Sequence, residues 1–195
     1  MRLRSIAATG PNSSSVPGSH TNEAFRDLAR AAARREAQSL SDLRTLRRIF
    51  SGGRTVAVVG LSADWFRPSY FVGKYLQEHG FRVIPVNPRY PEILGERCYP
   101  TLRDIPVSVD IVDVFRKPQD CVPIAEDAVA IRAHVLWLQL GVMNAEAEAI
   151  AAAGGLTVVT DRCIKIEYAR LFGGLNWCGV NTRVISSHRP SILPR

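Results

Sequence analysis

The stretch VAVVGLSADWFRPSYFVGKYLQEHG, Val56–Gly80, reads as a buried strand, a tight turn at Gly60 and an amphipathic helix. Its first residues are apolar in succession, which suits a strand covered on both faces. The helix runs from Pro68, at the position where a missing N–H is tolerated, to His79, with Gly80 just beyond its end. Working outward, the runs TVAVVG, FRVIPV, VDIVDVF, HVLWLQL and LTVVT repeat the strand signal, with a dozen or more residues between successive runs. That spacing predicts crossovers, so the fold class is α/β with a doubly wound, parallel five-stranded sheet. Further helices are expected over Asp120–Arg132, over Asn144–Ala153 with Asn144 as cap and Gly154 as stop, and over Asp161–Leu171. Between the second and third strands, Pro88, Pro91, Pro100 and Pro106 predict a long loop with one short turn around Thr101–Ile105.

The chain has 195 residues, 46% of them hydrophobic, enough for one globular core with extensions. Residues 1–22 are rich in Ser, Gly and Pro and predict a disordered tail. Residues 23–53 predict a helical extension: Phe25, Leu28, Ala29 and Ala32 share one face, and after a cap at Ser41, Leu43, Leu46, Ile49 and Phe50 share another that packs on the domain. The domain itself is expected over residues 54–171, and residues 172–195 read as a C-terminal tail. No apolar run reaches the roughly 18 residues a membrane span needs, which predicts a soluble, cytoplasmic protein; the acid-free, Arg-bearing start also fits an organelle transit peptide. Cys98, Cys121, Cys163 and Cys178 form no CxxC pair and are expected as reduced thiols, with no metal site. The net charge of +7 is uneven. Residues 1–54 carry ten basic and four acidic groups, residues 168–195 four and none, and residues 55–167 eleven and fourteen, so the basicity is assigned to the flanks and nucleic acid is not the expected partner.

In an open parallel sheet, ligands bind beyond the carboxyl ends of the strands, where strand order reverses. The loops there read Gly60-Leu61-Ser62 with Arg67-Pro68-Ser69, then Asn87-Pro88-Arg89, then Phe115-Arg116-Lys117, then Gln139-Leu140-Gly141. Free N–H groups and the positive end of the helix at Pro68 favour an anion, with Ser62 and Ser69 as hydroxyl donors. A dinucleotide fingerprint would need glycines at 60, 62 and 65, whereas the chain has Gly60, Ser62 and Trp65. The second strand ends in Asn87 and Arg89 where an NAD ribose would want a carboxylate. Arg89, Arg116 and Lys117 instead offer three cations to a ligand with several phosphate charges, with Gln139 a further contact at the open end. Each also has a plain reading: Arg89 and Lys117 as solvated charges, Arg67 lying over Trp65 or Phe66, Ser69 as a helix-start residue, and Cys163 as a small buried apolar group rather than an activated thiol.

The motifs AVVGLSxxxxRPSYxVxxYLxxxGFxVIPVNP, ILGExCYPTLxDIPxxVDIVDVFR, WLQLGVxNxEA and DRCIKIE, between Leu43 and Arg170, resemble those of stand-alone CoA-binding-domain proteins, relatives of the CoA-binding module of succinyl-CoA synthetase. The resemblance implies a Rossmann-like fold with coenzyme A across the strand ends. It implies that Gly60–Ser62 and Arg67–Ser69 hold the pyrophosphate, that Asn87–Arg89 and Phe115–Lys117 line the nucleotide, and that Gln139–Gly141 follow the pantetheine arm. The family pattern has histidine where this chain has Tyr168.

None of the four histidines falls at the open end of the sheet as a general base, and there is no G-x-S-x-G elbow. The sequence therefore reads as a non-catalytic binder of coenzyme A or an acyl-CoA acting as sensor, carrier or regulator, with an unnamed protein partner and room for a homo-oligomer. Its alternatives are an NAD(P)-binding oxidoreductase with a degenerate glycine fingerprint, and an adaptor that works through its basic flanks.

Overall fold

The computed structural model describes residues 42–173. The expected tail over 1–22, the part of the helical extension before residue 42 and the tail expected over 172–195 from residue 174 onward lie outside the described residues; Phe172, placed in that tail, instead ends the last helix.

Residues 42–52 form helix α1. Then follow β1 (Thr55–Val59), α2 (Pro68–Glu78), β2 (Arg82–Val86), β3 (Glu92–Ile93), β4 (Glu96–Arg97), β5 (Ile111–Val114), α3 (Cys121–Ala130), β6 (Val135–Leu138), α4 (Ala145–Ala153), β7 (Thr157–Val159) and α5 (Ile164–Phe172). The five longer strands form one parallel sheet in the order β2-β1-β5-β6-β7, as the apolar runs required. From β1 the chain passes outward to β2 and then returns to the other side of β1 to lay down β5. Strand order therefore reverses between β1 and β5, and the crevice of such a sheet opens at their carboxyl ends.

Alternation along each strand divides the core into two layers. Val56, Val58, Ile111, Val135 and Trp137 face α1, α2 and α5, while Ala57, Val59, Val112, Val114, Leu136 and Leu138 face α3 and α4. Phe50 of α1 is 1% exposed and meets Phe81, Trp137 and Tyr168 at ring centroid distances of 6.3, 5.6 and 5.3 Å. Tyr168, at the position where the family pattern has histidine, is thus a packing residue that also stacks on Phe172. On the opposite face six of the nine residues of α4 are alanine, and its buried Ala147 and Ala151 let it approach α3.

The proline-rich loop departs from expectation by containing a hairpin. β3 and β4 pair through Glu92↔Arg97 and Ile93↔Glu96 across Leu94 and Gly95, whose φ values of 56 and 74° define a tight type I′ turn. A leucine at the first of these positions is a poor turn signal, and two-residue strands carry no periodicity. The short turn expected near Thr101 is a 3-10 turn over Leu102–Asp104, closed by a capping box in which the Asp104 carboxylate accepts from both the backbone N–H and the hydroxyl of Thr101. Cys98, Cys121 and Cys163 are free thiols. Among the described residues no helix is long and apolar enough to cross a membrane, and no group of three His, Cys, Asp or Glu side chains could hold a metal.

Candidate functional site

At the end of β1, Gly60 turns the chain with φ 87°, its N–H donating to the Val86 carbonyl at 2.9 Å. A Cβ there would lie 2.6 Å from the Phe115 carbonyl oxygen and 2.9 Å from Cδ of Arg116, so only glycine lets β1 and β5 end this close together. Leu61 then returns its side chain fully to the core. The turn is fastened to the helix by the Ser62 N–H, which donates to Oγ of Ser69 at 3.2 Å; Ser69 is 5% exposed. That bond leaves the Ser69 hydroxyl hydrogen uncommitted. It is fastened to β2 by Asn87, whose Nδ2 donates to the Leu61 carbonyl at 2.8 Å and whose Oδ1 accepts from the Arg89 N–H at 3.1 Å. Asn87 thus acts first as a tie between two strand-end loops.

Helix α2 begins with Arg67 in an extended conformation and Pro68 in the first turn, with no side-chain cap and no acidic residue in that turn. Its positive end is unneutralised and opens on a cleft of about 430 Å³ lined by Gly60, Ser62, Ser69, Asn87 and Phe115. Three guanidinium groups border this cleft: Arg67, Arg89 and Arg116. Arg67 lies 3.8 Å from Asp64 and Arg116 lies 3.9 Å from Asp120, loose and largely exposed pairs that leave both cations available to a ligand. Arg89 has no ion pair among the described residues. Asp64 and Tyr90 also line the cleft; Asp64 shapes the turn by accepting from the Phe66 N–H at 3.0 Å.

A second cleft of about 440 Å³ adjoins the first, sharing Gly60, Asn87 and Arg116 with it, and extends between β2 and α3. Its walls are Pro88, Leu102, Pro123 and Ile124, with Thr101, Gln119 and Asp127 at its edge. A charged, donor-rich hollow beside a more apolar one suits a nucleotide diphosphate.

The remaining candidate residues lie outside these two clefts. Lys117 is exposed and lines neither cleft. Gln139 is 4% exposed and donates through Nε2 to Oδ1 of Asp113 at 2.7 Å, inside the α5 side of the core. Leu140 is 37% exposed, and Gly141 donates its N–H to Oδ1 of Asp161 at 2.9 Å; neither lines either of these two clefts. Burial pushes the Cys163 thiol up, against a lowering by the Ile166 N–H and with the nearby Asp113 charge adding to the rise, the opposite direction to an activated thiol. The sequence reading missed Tyr90, Leu102, Pro123 and Ile124. Leu102 and Ile124 had a signal in the apolar positions of the 3-10 turn and of α3, but nothing in the sequence showed which cavity they border.

A family model described as a CoA binding domain matches residues 54–169. The chain belongs to this family. Its relatives include the uncharacterized protein YneT of Bacillus subtilis, 38% identical over 124 residues that cover 64% of this chain and 92% of that protein. A second is an ADP-forming acetate–CoA ligase II of Archaeoglobus fulgidus, 36% identical over 72 residues; these are 36% of this chain but 10% of the ligase. Among solved structures, a hypothetical protein from Pyrococcus horikoshii OT3 superimposes with a TM-score of 0.66 at 40% identity, covering 67% of this chain and 92% of the other. The family match makes coenzyme A the ligand class and gives no support to the nicotinamide alternative.

Proposed function

We propose that this CoA-binding domain is a non-catalytic receptor for coenzyme A or an acyl-CoA, acting as sensor, carrier or regulatory module. The observation that supports it is the pairing of an uncapped helix start and three arginines with an adjoining apolar cleft at the β1/β5 reversal. In this reading the diphosphate lies against Gly60–Ser62 and the first turn of α2, where N–H groups and Arg67 meet its charge. The adenosine lies in the second cleft against Pro88, Leu102 and Ile124. Arg89 and Arg116 serve the remaining phosphate charge, and pantetheine leaves along the ends of β5 and β6. No described histidine lines either cleft: His79 stacks on Tyr75, and His134 stands at the opposite end of the sheet. Without a base or an activated thiol beside the ligand, binding rather than turnover is the function that fits.

Thermal unfolding of the full chain with coenzyme A, dephospho-CoA, acetyl-CoA, NADH and NADPH tests this. The true ligand stabilises by about 2.7 kcal/mol at a hundredfold excess over its Kd. Coenzyme A is expected to act and NADH not to; a response to NADPH alone overturns the reading. Arg67→Ala and Arg116→Ala are each expected to weaken coenzyme A binding by about tenfold or more, the scale of one charge-assisted phosphate contact, with unchanged unfolding midpoints. Unchanged affinity in both removes the phosphate assignment.

A further inference from the structure

The amino ends of the strands, opposite the clefts, carry a second feature that is independent of coenzyme A binding. Arg82 opens β2 and its N–H donates to the Arg54 carbonyl at 2.8 Å, which places Arg54, just before β1, beside it. The Arg54 guanidinium lies over the Phe81 ring at 5.0 Å. Next along the same edge come Asp110, before β5, and His134, before β6, with Arg132 two residues earlier. At the usual spacing of about 4.8 Å between strands, this edge runs for about 15 Å from β2 to β6. Arg48 of α1 joins it across a groove of about 330 Å³ whose other walls include Ile49, Ile111, Val135 and Thr157.

Arg48, Arg54, Arg82 and Arg132 are all exposed, and none makes an ion pair among the described residues. The carboxylate in the groove is already engaged: Asp110 Oδ2 accepts from the Arg54 and Thr55 N–H groups, each at 2.9 Å, and Oδ1 lies 3.4 Å from Nδ1 of His134. Glu78, at the end of α2, is paired with Lys74. The edge therefore presents four unneutralised guanidinium groups beside a groove whose own charged walls are Arg48 and the already engaged Asp110. Assigning the chain's basicity to its flanks alone missed this, because α1 and Arg54 are built into the domain.

We propose that this edge docks an acidic segment of a partner protein, whose carboxylates meet the exposed guanidinium groups of Arg48, Arg54 and Arg82. Charge complementarity selects the occupant. The chain's own remaining segments are poor candidates, since residues 1–41 carry six arginines against three acidic residues and residues 174–195 carry three arginines and no acid. Nucleic acid fits less well: the aromatic pair that could stack on bases, Trp65 and Phe66, stands on the turn at the other end of β1.

The test is retention of the full chain on an array of nine-residue peptides with every residue sampled at the centre and Glu, Gln or Lys in the flanks, at 150 mM salt. The expected result is selection of Glu over Gln or Lys in the flanks, at least tenfold weaker in the Arg48→Glu/Arg82→Glu double variant, while that variant keeps wild-type stabilisation by coenzyme A. Absence of Glu selection, or equal retention by the variant, overturns the proposal. So does tighter binding of a 20-nucleotide RNA than of the best peptide, lost in the same variant, which would make the edge a nucleic-acid surface.

Discussion

Gly60→Ala is expected to destabilise the domain by about 2–5 kcal/mol and to abolish high-affinity binding of coenzyme A. Two effects combine. An L side chain at φ 87° carries strain of about 1–2 kcal/mol, and the added Cβ meets the Phe115 carbonyl oxygen at 2.6 Å. That atom belongs to the backbone at the end of β5, so relief requires the β1 and β5 ends to part, at a further cost of about 1–3 kcal/mol. The same parting moves Arg116 and opens the boundary shared by the two clefts. Gly80→Ala separates the contributions: Gly80 has φ 79° but nothing within 4 Å of an added Cβ, so it should show the strain alone. Urea unfolding midpoints of both variants, with coenzyme A titration of the folded fraction, check this. Equal midpoints for Gly60→Ala and Gly80→Ala, with normal affinity in both, would show that the strand ends are not held at contact distance.

This glycine was legible in the sequence for a reason that also explains what was not. A strand followed by glycine and a Pro-started helix is set by local sterics, and the five apolar runs of the sheet are set by two-faced burial; both are properties of contiguous residues. Side chains that reach a site from distant elements are not. Asn87 was read as a ligand contact; it lines both clefts, and its amide also bridges Leu61 and Arg89, which no local pattern announces. Gln139 was read by its place at the end of a strand, but its side chain falls on the face covered by α5, where a buried carboxylate awaited a donor. The apolar cleft is assembled from Pro88, Leu102, Pro123 and Ile124, which only the reversal of strand order brings together. Local rules thus determined the elements and the glycine turn, while topology determined the second cleft.

Asp113 supplies the other large effect. It sits in the middle of the sheet, fully buried, beside Val58 of β1 and Trp137 of β6 in register, with Cys163 of α5 close enough to feel its charge. Oδ1 accepts from Gln139, and Oδ2 has no hydrogen-bond partner. Burial raises its pKa from 3.8 to about 7, against the smaller lowering by the Gln139 amide and the Val114 N–H. The folded protein therefore keeps this proton where the unfolded chain has lost it, and stability falls as pH rises through the window from about 4 to 7, then levels off. At 1.36 kcal/mol per unit, the contribution lost between pH 5 and pH 8 is roughly 3 kcal/mol. Asp113→Asn has nothing to titrate, so its urea midpoint should lack this part of the pH dependence, whatever the substitution costs at pH 5. The comparison is between slopes rather than absolute stabilities, because the new amide also needs an acceptor that Oδ2 does not have now. Parallel pH profiles for wild type and variant would mean that the carboxylate is ionised in the folded state across the whole range, and that a cation or water reaches the interior of the sheet to hold it there.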